Sequence, residues 1–167
     1  MITFKTISWK NFLSTGNHPT TVSLSSDNTT LIIGTNGAGK STILDALTFS
    51  LYGKSFRKIN KGQLINTTNE KNCFVEIEFT IGNTEYVVGR GMKPKKFIIM
   101  RNGEQLDSKA ADKDNQAFLE QQILKLSYKS FTQIVILGSS NFIPFMQLNT
   151  AGRRECVEDF LDISVFS

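Results

Sequence analysis

The chain has 167 residues, 40% of them hydrophobic and 20% charged, which are ordinary proportions for one globular domain. Its net charge of +4 allows a polyanionic partner without requiring one. Two widely separated cysteines and a single histidine argue against a disulfide framework or a zinc site, and no apolar run is long enough to span a bilayer, so we expect a soluble, intracellular protein.

The N-terminal third is predicted to begin with three strands. Residues 2–9 alternate, with Ile2, Phe4, Thr6 and Ser8 on one face and Thr3, Lys5, Ile7 and Trp9 on the other, which predicts a strand. A short strand is expected at Thr20–Leu24. The continuous apolar run in Thr29–Ile33 predicts a third strand, buried on both faces.

A helix and an antiparallel block are predicted next. Apolar residues at helical spacing indicate a helix over Ser41–Tyr52 that Gly53 ends. After a polar loop over residues 54–69, three strands are expected at Cys73–Ile81, Thr84–Arg90 and Lys96–Arg101. The dipeptides Gly82-Asn83 and Asn102-Gly103 mark tight turns, because glycine and asparagine accept the positive φ that hairpins require.

The C-terminal third is predicted to be mainly helical. We expect a helix over Asp112–Lys125, one helical turn at Ser127–Phe131 and a strand at Gln133–Leu137. A final amphipathic helix begins near Thr150, with Val157, Phe160 and Leu161 on its apolar face. Taken in order, these elements predict an α/β domain with a mixed sheet and an antiparallel β block.

One motif indicates a phosphate-binding site. Residues 34–41, GTNGAGKS, fit G-x-x-x-x-G-K-[ST] at every required position. Glycines let backbone N–H groups curl around phosphate oxygens, and the following helix adds the positive end of its dipole. Lys40 would place its charge on the β- and γ-phosphates as the catalytic residue, and the Ser41 hydroxyl would bind Mg²⁺. The predicted nucleotide-binding residues of this loop are Gly34, Thr35, Asn36, Gly37, Ala38, Gly39, Lys40, Ser41 and Thr42.

The nucleotide is expected to be ATP. A GTPase would need a guanine-reading NKxD segment, and the nearest string, residues 60–63, lacks the carboxylate. A nucleotide kinase would need an arginine-rich lid, for which Arg153-Arg154 is a thin candidate. Spacing alone therefore indicates a P-loop NTPase that uses ATP and Mg²⁺.

With these residues in hand, the chain resembles the SMC-like coiled-coil ATPases of double-strand-break repair, the family of bacterial SbcC, and most closely its T4-type phage members. Four segments carry the likeness: ITFKTISWKNFLSTG at the start, LIIGTNGAGKSTILDALTFSLYGKSFR, KGQLINTTN, and SYKSFTQIVILGSSNFIPFMQLNTAGRRECVEDFLDI. The second and fourth are quite specific. The resemblance implies a P-loop head of the ABC/SMC type, of which residues 1–167 would be the N-terminal lobe.

The same resemblance implies partners. In this family a long coiled coil separates the N-terminal half of the head from a C-terminal half that brings the signature motif and the metal-side carboxylates. The implied partners are that C-terminal half, a second head, an SbcD-like Mn²⁺-dependent nuclease subunit and double-stranded DNA, with no membrane, in the cytoplasm of a bacterial or phage-infected cell. The chain is then a fragment, a partial sequence or one piece of a split gene.

The catalytic carboxylate of such a head is not found in the sequence. A Walker B strand ends in Asp, but the apolar residues 134–137 run into Gly138-Ser139-Ser140. Glu76 belongs to an amphipathic strand pattern and Glu158 to a helical one. We therefore expect this chain alone to bind ATP weakly and not to turn it over.

Two positions depart from the family pattern. Relatives usually have a metal-sensing glutamine at the position of Ser139, where Asn141 is a nearby substitute. Many also have a basic residue that packs near the nucleotide one place after the Asn-Phe pair, a position that Leu13 occupies here. Lys10 and Asn11 remain as the polar candidates for nucleotide binding in that region.

The sequence leaves open the role of two basic loops and the choice between two functions. Two loop regions carry the cations Arg57, Lys58, Lys61, Lys93, Lys95 and Lys96. These could contact DNA phosphates or simply be solvated. The alternative to an ATPase head for DNA-end processing is a small, complete P-loop protein that uses nucleotide only as a binding switch. A DNA-binding module without nucleotide has only the mild charge in its favour.

Overall fold

A computed structural model describes residues 1–27, 29–106, 112–136 and 147–161 of the chain. The sequence predicted one lobe over residues 1–167, and the chain divides into two compact units, Met1–Ala110 and Ala111–Ser167. Within the described residues no helix combines the length and the apolarity that crossing a membrane requires.

The first unit is built on a six-stranded sheet. The strands follow the order β2-β1-β3-β4-β5-β6, and each neighbouring pair is antiparallel. This confirms the predicted antiparallel block, including the turns at residues 82–83 and 102–103. The strands are β1 (Ile2–Lys10), β2 (Thr20–Ser23), β3 (Cys73–Ile81), β4 (Thr84–Met92), β5 (Lys96–Arg101) and β6 (Glu104–Gln105).

A bulge in β1 changes the predicted alternation. Phe4 pairs with Phe79 and Ile7 with Ile77, and the register shifts between Phe4 and Thr6. Residues 77 and 79 share one face of β3, so the extra residue brings Phe4 and Ile7 onto the same side of the sheet. The strict alternation had placed them on opposite faces. The Phe4 and Phe79 rings meet edge to face at 6.0 Å.

The helix α1 (Thr42–Tyr52) packs against β1, β3 and β4 of this sheet. Leu51 and Ala46 are completely buried. Gly53 ends the helix in the left-handed conformation (φ 65°), and its N–H donates to the carbonyl of Phe49, which confirms the predicted end. Arg90 donates to the last-turn carbonyls of residues 50 and 51, where a cation opposes the negative end of the helix dipole.

The predicted strand at Thr29–Ile33 is wrong for this structure. Residues 29–35 form no regular element, and Leu31 and Ile33 are 80% and 83% exposed. A strand needs a hydrogen-bonding neighbour, and within the described residues no strand pairs with this segment. The segment therefore adds no strand to the sheet of the described residues, and the side chains of its apolar run are exposed.

The second unit is helical where it is described. α2 (Asp112–Phe118) continues into a π-helix (Leu119–Leu124) that ends at Lys125, as predicted. α3 (Tyr128–Ile134), capped by the Ser127 hydroxyl, and α4 (Thr150–Leu161) follow.

The structure differs from two predictions for this unit. The expected strand at Gln133–Leu137 is wrong at its start, because Gln133 and Ile134 form the last turn of α3, and Leu137 lies outside the described residues. The apolar face predicted for α4 is wrong for Val157 and Leu161, which are exposed, whereas Cys156 is buried; the side chain of Phe160 lies outside what the structure describes.

Candidate functional site

The bend at residues 34–41 has the conformation that its glycines were expected to provide. Gly37 and Gly39 have φ angles of 86° and 88°, a region that L-residues with side chains avoid. The N–H of Ala38 donates to the carbonyl of Thr35, and that of Thr42 donates to the carbonyl of Gly39. A Cβ on Gly34 would lie 3.2 Å from the Cβ of Ala38. The bend is tight and leads directly into α1.

Lys40 lies over this bend. Its Nζ donates to the carbonyl of Gly34 at 2.6 Å and to that of Thr35 at 2.9 Å. Lys40 as a residue is partly exposed, and it is the charged residue nearest the start of α1 in sequence. Both acceptors are neutral carbonyls. An anion could take their place, because a charged acceptor makes a stronger hydrogen bond with the ammonium group.

Ser41 leaves its hydroxyl available at the first residue before α1. It is exposed and has helical backbone angles, and its side chain makes no capping hydrogen bond. A hydroxyl with this placement can serve as a metal ligand without breaking a bond within the helix. Thr42, the first residue of the helix, is buried.

A cleft of about 570 Å³ opens beside the bend, within the range of small-molecule sites. Six predicted residues line it: Asn36, Gly37, Gly39, Lys40, Ser41 and Thr42. Its other walls come from the loop after β1 and from the loop between α1 and β3, namely Leu13, Ser14, Arg57, Ile59, Gln63, Ile65 and Thr67. Gly34, Thr35 and Ala38 shape the bend without lining the cleft.

Lys10 and Asn11, which the sequence suggested as nucleotide ligands, lie elsewhere. Lys10 lines a smaller cleft on the sheet. Asn11 is 1% exposed; its Nδ2 donates to Asn17 Oδ1 and to the carbonyl of Asn72, and its Oδ1 accepts from Asn69. The side chain of Asn11 therefore joins the loop after β1 to the loop before β3. Leu13, by contrast, lines the large cleft, as the family pattern implied for its position.

Arg57 is a cleft residue that the sequence analysis assigned to a possible DNA-contacting loop. Its Nε donates to Asp45 Oδ2 at 2.6 Å, its backbone N–H donates to Asp45 Oδ1 at 3.0 Å, and a second guanidinium nitrogen also contacts Oδ2. The Asp45 side chain is completely buried, whereas that of Arg57 is 42% exposed. This ion pair ties the loop after α1 to the helix and fixes one wall of the cleft.

The residues present fit a nucleotide phosphate with Mg²⁺. The cleft combines a tight glycine bend, an ammonium group bonded only to carbonyls and an uncommitted hydroxyl, and Mg²⁺ commonly uses few protein ligands together with phosphate oxygens. The described residues contain no group of three or more His, Cys, Asp or Glu side chains that could hold a metal. Neither Asp nor Glu is among the described residues that line the cleft.

The carboxylates Glu76 and Glu158, which were considered as catalytic candidates, do not line the cleft. Glu76 lies in β3, where burial and then the neighbouring Glu78 raise its pKa. Glu158 accepts from Arg154 on α4. Ser139 and Asn141, the candidates for metal sensing, lie outside the described residues.

Comparison with known proteins gives three findings. The AAA domain family model AAA_23 matches residues 6–162. Exonuclease subunit 2 of Enterobacteria phage T4 is 45% identical over 161 residues, 96% of this chain and 29% of that protein. The SbcC component of the nuclease SbcCD from Bacillus subtilis (strain 168) is 29% identical over 148 residues, 81% of this chain and 13% of that protein. The chain thus spans less than a third of the length of these relatives.

A solved structure described as "Structural biochemistry of ATP-driven dimerization and DNA stimulated activation of SMC ATPases" matches with a TM-score of 0.64 and 25% identity. The alignment covers 95% of this chain and 99% of that chain. Together these findings confirm the predicted resemblance to SbcC and T4-type phage proteins, and the fold class of an SMC-type P-loop head.

Proposed function

The chain belongs to the AAA_23 family of AAA domains, and from this premise we propose that it is the ATP-binding half of the ATPase head of a DNA recombination and repair exonuclease. The observation that carries the proposal is the cleft that Lys40 and Ser41 line. Relatives named as part of an exonuclease and as part of the SbcCD nuclease support the assignment to DNA-end processing.

In this proposal the bend binds the triphosphate. Lys40 exchanges the carbonyls of Gly34 and Thr35 for β- and γ-phosphate oxygens, and the N-terminus of α1 adds its positive dipole end. Backbone N–H groups of the bend complete the cradle, those of Ala38 and Thr42 after leaving the carbonyls of Thr35 and Gly39. Ser41 would bind Mg²⁺, which neutralises phosphate charge when it is present.

Binding of a fluorescent ATP analogue tests this assignment. We expect saturable binding to the chain that unlabelled ATP displaces. An absence of binding at millimolar nucleotide would overturn the proposed site.

A second half of the head would supply the chemistry. In the described residues the cleft has no lining carboxylate, so a base for the attacking water would come from the C-terminal half. The exposed side chains of Leu31 and Ile33 support this partner, because an exposed apolar run suits a segment that another part of the protein covers. The proposed assembly also includes a second head and an SbcD-like nuclease, in the cytoplasm of a bacterial or phage-infected cell.

Duplex DNA is the proposed substrate of the assembly. Three exposed lysines lie at the turn from β4 to β5, namely Lys93, Lys95 and Lys96, the last of which is the first residue of β5. Cations there can contact phosphates by counterion release. Arg57 is no longer a candidate for DNA contact, because it lines the cleft. Lys58 and Lys61 are exposed and remain candidates.

Replacing the three turn lysines by alanine is expected to weaken duplex binding and to flatten its salt dependence. The slope of log affinity against log salt should shrink by about one for each phosphate that the protein no longer neutralises. Fluorescence anisotropy between low and moderate salt measures this slope. The variant Lys5→Ala, whose lysine pairs with Glu85 on the sheet, serves as the control. A slope equal to that of the unmodified protein would remove the turn from the DNA-binding surface.

A further inference from the structure

A row of four residues crosses the sheet from β1 to β5. Lys10 lies opposite Phe74, Phe74 opposite Gly91, and Gly91 opposite Lys96. Directly paired residues in neighbouring strands point to the same face of a sheet. The two lysines therefore flank an aromatic ring, at a separation of about 14 Å, from three strand spacings of ~4.8 Å. We call this row the platform.

Glycines make room for the ring of Phe74. A Cβ on Gly89 would lie 2.8 Å from its Cζ, and a Cβ on Gly91 would lie 3.4 Å from its Cδ2. The ring thus occupies the space over β4 that two side chains would otherwise fill. It remains partly exposed, on the side of β3 opposite the buried Val75 and Ile77.

The platform forms one side of a cleft of about 260 Å³. Asn72 and Pro94 line it together with Lys10, Phe74, Gly91 and Lys96. All of these residues belong to the first compact unit. A planar apolar surface with a cation at each end suits a ligand that has both a flat ring and negative charges.

The surrounding charges restrict where an anion can lie. Lys71 and Lys93 are exposed beside the platform. The next residue of β3 on the same face is Glu76, whose Oε2 would lie 3.7 Å from a Cβ on Gly89, close to the ring of Phe74, and Glu78 follows it, so the face is acidic from the ring onward. A polyanion is therefore favoured only at the end of the sheet that holds the platform.

We propose that the platform binds an unpaired nucleotide of single-stranded DNA, with the base on the ring of Phe74 and the flanking phosphates on Lys10 and Lys96. This rests on the proposed function, which makes DNA the substrate. An aromatic ring gives a base a stacking surface whatever its identity, and lysines follow the backbone. In a duplex the bases are already stacked on each other, so the ring distinguishes a single strand from a double strand.

The test compares Phe74→Leu with Phe74→Tyr in the head assembled from this chain and its second half. A short oligonucleotide containing 2-aminopurine reports affinity by anisotropy and stacking by fluorescence quenching. We expect Phe74→Leu to weaken single-strand binding about tenfold and to abolish the quenching, since it removes the aromatic side chain on which the base stacks. Phe74→Tyr should keep both, and duplex binding and ATP binding should not change in either variant.

A second variant keeps the proposal testable if Phe74→Leu fails to fold, which the urea midpoint would reveal. Lys10→Ala should reduce single-strand affinity and lower its salt slope by about one. Unchanged single-strand affinity in Phe74→Leu and Lys10→Ala would overturn the proposal. An equal loss of single-strand and duplex binding would also overturn it, and loss of binding to the nuclease alone would assign the platform to a protein interface instead. Because ATP binding is measured on the same variants, failure of the platform is distinguishable from failure of the proposed ATPase function.

Discussion

Replacing Lys40 by alanine is expected to weaken ATP binding about 100-fold, because truncating a charged partner inside a binding site costs roughly 3 kcal/mol. In the protein without nucleotide, Nζ bonds only to the carbonyls of Gly34 and Thr35. The substitution should therefore change the free energy of unfolding little while removing the charge that faces the triphosphate. Titration with a fluorescent ATP analogue measures the affinity.

The matched control is Lys5→Ala, which removes the same charge from the sheet, where Lys5 pairs with Glu85 at 2.8 Å. We expect its ATP affinity to equal that of the unmodified chain. If Lys40→Ala and Lys5→Ala bind ATP equally well, Lys40 does not contact the phosphates, and the assignment of the bend is wrong.

Replacing Arg57 by alanine is expected to lower the free energy of unfolding by about 3 kcal/mol, since it leaves the charge of a buried carboxylate without its cationic partner. The carboxylate of Asp45 is completely buried and would no longer accept from the Arg57 guanidinium. Among the donors that the structure describes for it, only the backbone N–H of residue 57 would remain. Urea unfolding followed by circular dichroism gives the difference.

Arg154→Ala is the control for this measurement. Arg154 also pairs with a carboxylate, that of Glu158, but its side chain is 71% exposed, so we expect no measurable loss of stability. A double variant, Asp45→Asn with Arg57→Ala, should recover part of the stability because the buried charge is gone. If Arg57→Ala is as stable as Arg154→Ala, the ion pair contributes little to the fold, and another interaction must hold the cleft wall.

Local signals explain the parts of the fold that the sequence predicted well. Gly82-Asn83 and Asn102-Gly103 specify turns through the positive φ of Gly82, Asn102 and Gly103. Gly53 ends α1 for the same reason. The bend at residues 34–41 depends on glycines at fixed spacing, so its conformation also follows from a short stretch of sequence.

Longer-range interactions explain the errors. The run at Leu31–Ile33 has the composition of a buried strand, but pairing requires a neighbour that the described sheet does not provide. The bulge between Phe4 and Thr6 is visible only in the register with β3. Nothing in the local pattern of β1 marks it.

The site shows the same division between local and distant effects. Lys40 and Ser41 line the cleft where the motif placed them. Asn11 is polar and close to the expected position, yet its amide bonds to residues of two loops, Asn17 after β1 and Asn69 and Asn72 before β3. Arg57 was missed because its partner Asp45 lies twelve residues earlier. A charged residue within the apolar pattern of α1 was the one signal that could have indicated the pair.

The central claim is that this chain holds the triphosphate while the groups that cleave it belong to another segment, and release of inorganic phosphate tests it most directly. We expect the purified chain to bind ATP without steady turnover, and hydrolysis to appear when the separately expressed C-terminal half is added. The variant Lys40→Ala should abolish that stimulated rate. Steady turnover by the chain alone, at a rate that the C-terminal half does not change, would contradict the account.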